Sequence, residues 1–209
     1  MKFTTALALL PAAALANPLA TRQVERAKFT GNFRSQGTGC PPGSVTVTFS
    51  GEGTFANEFA TAFLSANTVQ VGPGIPDSQR EKDCSIFLEV RLPLNRCTRI
   101  NYGSTLNGPF RLDPGVTGNL HRAYVLERAT QVTGNNPPDL TFSSATPGPD
   151  FIQEDHPAGS YNIRNANEQN SSFSLQERMF LQKPNNSVSG SLTNDVWAVS
   201  ITDQVQCGE

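Results

Sequence analysis

The chain has 209 residues, a formal net charge of −2 and 37% hydrophobic residues, with Phe 13, Gly 17 and Pro 15. The length suits one domain with a real core, and frequent turn residues point to many short strands. A near-neutral, slightly acidic chain has no basic field for gathering nucleic acid, so nucleic-acid partners are excluded.

Lys2 precedes a short apolar run, Ala6 to Ala16, which ends in Ala14-Leu15-Ala16. Small residues at Ala14 and Ala16 suit a signal-peptidase site before Asn17, so residues 1–16 read as a signal peptide. The run is well short of the roughly 20 residues that span a bilayer, so no membrane association is expected after cleavage. The mature chain is then secreted and extracellular. Residues 17–38 show no apolar periodicity and read as a flexible leader, and residues 39–209 as one folded domain.

The domain opens at Cys40-Pro41-Pro42-Gly43, a rigid turn. Val45, Val47 and Phe49 then alternate with Thr46, Thr48 and Ser50, the pattern of a half-buried strand. Phe55, Phe59 and Phe63 follow after a Gly-Glu-Gly turn and are taken as one face of a strand. Gly72-Pro73-Gly74-Ile75-Pro76 begins a polar loop that runs to Asp83. Ile86, Leu88, Val90 and Leu92 share a face, with Phe87, Glu89 and Arg91 opposite. Thr98–Tyr102, Phe110–Leu112, Leu120–Leu126 and, more weakly, Asp139–Ser143 give further strands. Residues 144–171 are rich in Pro, Gly, Asn and Ser and read as a long surface excursion. Phe173, Leu175, Met179 and Leu181 restore a face, Pro184-Asn185-Asn186 turns the chain, and Trp197, Val199, Ile201, Val205 and Cys207 alternate to the end. No stretch carries a capped helix of 3.6-residue period. The expected fold is an all-β, single-domain antiparallel β-sandwich, jelly-roll-like, with two disulfides.

An exported chain can oxidise Cys40, Cys84, Cys97 and Cys207. Four cysteines allow three pairings and the sequence does not choose among them. Cys40 and Cys84 sit at strand entries and Cys97 and Cys207 near strand ends, so Cys40–Cys84 with Cys97–Cys207 is the working assignment. No Cys-x-x-Cys occurs and no His lies near a Cys, so a metal or redox role is not expected.

Several of these motifs, in their order, resemble one family. They are Gly39-Cys40-Pro41, Gly72-Pro73-Gly74, Arg80-Glu81-Lys82-Asp83-Cys84 before an alternating strand, Leu112-Asp113-Pro114-Gly115-Val116-Thr117-Gly118, and Tyr124 ahead of Arg128. They are similar to domain-of-unknown-function family 4360, small exported proteins of fungi and some bacteria. The resemblance spans Cys40 to Cys207. It implies an exported, β-rich, disulfide-bonded protein and no activity to carry over. The early position of Cys97, ahead of the central loop, departs from the family pattern.

Site chemistry is sparse. His156 follows Glu154 and Asp155, with Asp150 nearby, but neighbours on an extended chain point to opposite faces and do not converge on a cation. His121, beside Arg122, reads as a partly exposed strand residue. No Gly-x-Ser-x-Gly elbow and no phosphate-binding glycine loop occur. Glu89, Glu127 and Glu177 fall mid-strand and are expected to face water; a hydrolase would need two of them in one groove. A carbohydrate-binding module would need exposed rings, for which Tyr102, Tyr124 and Tyr161 are candidates, while Trp197 is in phase with core residues. Asn170-Ser171-Ser172 and Asn185-Asn186-Ser187 are glycosylation sequons placed in turn-like sequence. The uneven charge, with Arg91, Arg96, Arg99, Arg111, Arg122 and Arg128 in one stretch and acids dominating after Asp139, reads as solvated strand faces. The sequence therefore points to no catalytic residue, cofactor or metal. It points to a non-catalytic extracellular or cell-wall-associated interaction protein, its partner a wall glycan or another protein. A carbohydrate-binding module is the alternative and a hydrolase the more distant one.

Overall fold

The computed structural model describes residues 26–51, 57–92, 98–127, 131–133, 136–146, 148–163 and 170–205. The strands in chain order are β1 (Lys28–Gln36), β2 (Val45–Ser50), β3 (Asn57–Leu64), β4 (Thr68–Val71), β5 (Glu81–Arg91), β6 (Thr98–Leu112) and β7 (Thr117–Leu126). They continue with β8 (Gln131–Thr133), β9 (Leu140–Ser143), β10 (Asp150–Ile163), β11 (Asn170–Gln182), β12 (Gly190–Thr193) and β13 (Val196–Val205). One short 3-10 turn, Asp77–Gln79, precedes β5.

One sheet has the order β1-β5-β11-β7-β9. The other has β2-β3-β13-β6-β10-β8, with β12 joining β6 to β4 beyond that path. Strict alternation makes the central strands. In β5, Cys84, Ile86, Leu88 and Val90 are buried while the residues between them are not. In β13, Trp197, Val199 and Ile201 do the same, as expected. Every residue pairing across these sheets is antiparallel, for example Leu88 opposite Phe173 and Trp197 opposite Leu106.

The two sheets meet through rings. Tyr102 on β6 lies 5.1 Å from Tyr161 on β10, and 5.2 Å and 5.5 Å from Tyr124 and Phe173 of the opposite sheet. Trp197 meets Tyr124 edge-on at 5.9 Å. Such pairs add about 0.5–1.5 kcal/mol each beyond the area they bury. A second cluster, Phe110, Phe142 and Phe151, fills the end near β9.

Three sequence expectations change. The sheet begins at Lys28, inside the stretch 17–38 read as a leader. Among the described residues of that stretch only Ala27 and Phe29 are buried, so an edge strand with mostly polar faces gave no periodic signal. Gly31, at φ 92°, sits in a register shift between Phe29 and Phe33, a backbone that other residues adopt only under strain. Residues 144–171 are likewise no mere excursion, since β10 crosses them as the longest partner of β6. The phenols of Tyr102, Tyr124 and Tyr161 are core, 1–3% exposed, not a sugar platform.

One disulfide, Cys40–Cys84, is formed with Cα atoms 5.2 Å apart. It ties the β1–β2 turn to β5, beside the Gly39 N–H to Asp83 O bond of 2.8 Å. Cys97 and Cys207 lie outside the described residues; among the described residues there is one bridge, where two were expected for the chain. The signal segment 1–16 also lies outside them.

Candidate functional site

Three places gather polar side chains. The first is buried. Glu177 on β11 pairs across the sheet with Arg122 on β7, and both side chains turn inward. Glu177 Oε2 accepts from Asn194 Nδ2 at 2.7 Å, and Oε1 accepts from Asn67 Nδ2. Arg122 Nε lies 3.3 Å from Asp155 Oδ2, and its Nη2 donates to the Pro138 carbonyl at 2.9 Å. Burial raises the Glu177 carboxyl to about 7, against the two amides and Arg122, which pull it down. A carboxyl poised there would suit proton transfer. Yet Glu177 is 5% exposed and lines none of the surface cavities described below. Its setting is structural. The expectation that Glu177 faces water is overturned, because partners 110 and 17 residues away in sequence satisfy it.

A pH dependence follows. The folded state holds Glu177 as the neutral acid to a higher pH than the unfolded chain does. Its contribution is therefore complete below about pH 4.5 and is lost as pH rises through about 7. The loss is on the order of 3 kcal/mol. Glu177→Gln should flatten the difference in urea-unfolding free energy between about pH 4.5 and pH 8. Asn67 Oδ1 and Asn194 Oδ1, both buried without partners, can accept the new amide protons if either side chain flips. Parallel pH profiles for the wild type and the variant would remove Glu177 as the cause.

The second place is a trough of about 340 Å³ on the outer face of the five-stranded sheet. Glu89 on β5 accepts from Thr30 Oγ1 at 2.7 Å, Asn32 Nδ2 at 2.6 Å and Asn170 Nδ2 at 2.8 Å. The Gly31 bulge lets Thr30 and Asn32 reach the same carboxylate. The hydrogen bond from Thr30, then that from Asn32, holds Glu89 below the usual carboxylate range. Phe33, Phe87 and Glu127 also line the trough, and the Arg34 guanidinium lies 4.2 Å over the Phe87 ring. Glu89 and Glu127 thus share a groove, as a hydrolase would require. However, a carboxylate bound by three donors serves as an acceptor and is a poor proton donor.

The third is a cleft of about 620 Å³ built by the ends of β4, β6 and β12 together with the loops beside them. Asp113 closes its rim, accepting from Ser189 N–H at 2.7 Å while its own N–H donates to Ser189 O at 3.0 Å. Gln70, Arg111, Ser144, Thr146 and Ser191 offer polar groups, and Val71, Ile75 and Phe110 an apolar lining.

The remaining sequence candidates fall apart spatially. His121 Nδ1 lies 2.6 Å from Asp139 Oδ1 on the half-exposed surface, as expected of a strand residue. Glu154 is exposed while Asp155 faces Arg122, so this pair points to opposite faces; the His156 side chain lies outside the described residues. Among the described residues no group of three or more His, Cys, Asp or Glu could hold a metal ion. Asn185 is exposed in a turn, its Oδ1 accepting from Ser187 N–H at 2.9 Å and Ser187 Oγ–H at 2.6 Å. Asn170 lies at the start of β11 rather than in a turn. Among the described residues the exposed rings are Phe33, Phe59 and Phe63, none of which sequence reading placed at a surface.

A family profile described as "Domain of unknown function (DUF4360)" matches residues 30–208. The chain belongs to this family. An "Uncharacterized secreted protein" of Arthroderma benhamiae is 24% identical over 162 residues, covering 76% of this chain. This DUF4360 chain spans 61% of that relative's length. Among solved structures, TmCBM61 in complex with beta-1,4-galactotriose aligns over 86% of this chain and 91% of that one. The identity is 12% and the TM-score 0.24, too low to bear on fold or ligand. No helix among the described residues is long and apolar enough to cross a membrane.

Proposed function

We infer that this DUF4360 member is a secreted, disulfide-tied, jelly-roll-like protein that binds an extracellular ligand without chemistry, through the cleft at the ends of β4, β6 and β12. One observation carries the reading. The cleft has a volume in the range of small-molecule sites, yet Asp113 is the sole carboxylate among its lining residues and is tied to Ser189. No histidine, cysteine or second acid stands beside it, so the lining can hold a ligand but has no acid–base pair. Hydroxyls and an amide over an apolar floor suit a polyhydroxylated ligand. A wall oligosaccharide is the ligand class we favour, which is the carbohydrate-binding form of the interaction role.

The test is calorimetric titration of the purified secreted protein with soluble chitin, glucan, mannan and galactan oligomers. Binding of one of these in the micromolar-to-millimolar range is expected. Ser191→Trp, which fills the cleft, should abolish that binding with unfolding unchanged. Absence of heat with every oligomer, or binding indifferent to Ser191→Trp, sinks the proposal. Turnover of the bound oligomer would replace it with the hydrolase reading.

A further inference from the structure

We propose that the trough on the five-stranded sheet is the seat of this protein's own N-linked oligosaccharide, attached at Asn170. Asn170 is the acceptor residue of a sequon and, at the same time, part of the trough's lining. Its Nδ2 already points into the trough, donating to Glu89 Oε1 at 2.8 Å. Attachment bonds C1 of the first sugar to that nitrogen. The bond from C1 to the pyrophosphate of a lipid-linked oligosaccharide donor breaks, and one amide proton and the lipid pyrophosphate leave. The second amide proton stays and keeps the bond to Glu89. The first sugar therefore starts from a nitrogen whose direction is fixed by a carboxylate that Thr30 and Asn32 also hold.

What lies beside that nitrogen is suited to a hexose. One face of the sugar is C–H and packs on apolar surface; its rim is hydroxyl and seeks donors and acceptors. The trough offers Phe33 and Phe87, the Arg34 guanidinium over Phe87, and the Glu127 carboxylate. Phe87 is half-buried, and covering the rest of its ring removes apolar surface from water. The order of events is also constrained. Ser172 Oγ, the sequon hydroxyl, is buried without a hydrogen-bond partner in the folded protein. Transfer must precede folding of β11, and the sheet then closes around the sugar already in place. Asn185, exposed in its turn, has no such seat and serves as the internal contrast.

The experiment uses the full chain secreted from a eukaryotic host. Peptide mass spectrometry measures occupancy at Asn170 and Asn185, and peptide N-glycosidase is applied to native and to denatured protein. Occupied Asn170 is expected, with release about tenfold slower in the native than in the denatured state; that ratio corresponds to about 1.4 kcal/mol of seating. In the Arg34→Ala/Phe87→Ala variant the native rate should rise to the denatured one. Ser172→Ala, which blocks attachment but keeps Asn170, should raise binding of an apolar fluorescent dye. An unmodified Asn170 overturns the proposal. So does equal release in the two states, or protection that survives loss of Arg34 and Phe87. Uptake of added oligosaccharide by a bare trough would make it a site for an external ligand and overturn it as well. Failure here leaves the cleft reading untouched, because Ser191→Trp and Ser172→Ala report on separate surfaces.

Discussion

Arg122→Met is expected to cost about 3–5 kcal/mol at about pH 8, the penalty of stranding buried charge by removing one partner. Arg122 is fully buried and cannot shed its proton, so the fold must supply anions around it. It does so from both sheets: Glu177 is its cross-strand neighbour on β11, and Asp155 reaches it from β10. Removing the guanidinium leaves two carboxyls facing a neutral side chain. Glu177, already raised by burial, can then escape by protonating, so the cost should shrink at about pH 5. For a chain of this size the change in Tm is on the order of 10 °C. Urea unfolding at the two pH values checks this. A variant within about 1 kcal/mol of wild type at both shows that the buried charges are not coupled. The double change Arg122→Met/Glu177→Gln separates the causes, because it should recover part of the loss at high pH only if Glu177 is the stranded anion.

This cluster marks where the sequence stops being legible. The all-β class could be read because β5 and β13 alternate without a break and bury one face only. The same reasoning failed for β1, an edge strand whose face beyond Phe29 meets water and whose register breaks at Gly31. It failed again for β10, where Pro157 and Gly159 look like loop residues and in fact mark an irregular register against β6. Phases along a strand also predict burial only for apolar residues. Glu177 and Tyr124 occupy inward phases, and inward polar groups are tolerated only where partners satisfy them. Those partners, Asn67 and Asn194 for Glu177 and Ser104 for Tyr124, come from strands and turns that the fold alone brings together. The trough was half legible, since the sequon and the mid-strand glutamate could each be seen. Their meeting depends on Asn170 and Glu89 standing two residues apart in the β11–β5 register.

Replacing Cys40 and Cys84 together by Ala should lower stability by about 4 kcal/mol. The bridge closes 44 residues of sequence, and a loop of that length carries this much chain entropy in the unfolded state. Both sulfurs are fully buried, so alanine rather than serine is the replacement that adds no stranded hydroxyl. Burial also predicts that reductant acts slowly on the native protein and quickly once urea opens the sheet. The consequence reaches the trough. The bridge fastens the turn after β1 to β5, and β1 is an edge strand held from one side only. Thr30 and Asn32, which fix Glu89, are on that strand. Hydrogen exchange in the bridge-free variant should therefore rise first in β1, ahead of β11 and β7 in the sheet interior. Uniform exchange across the five strands, or a stability within about 1 kcal/mol of wild type, would mean that packing of Phe29 against Phe49, and not the crosslink, anchors β1.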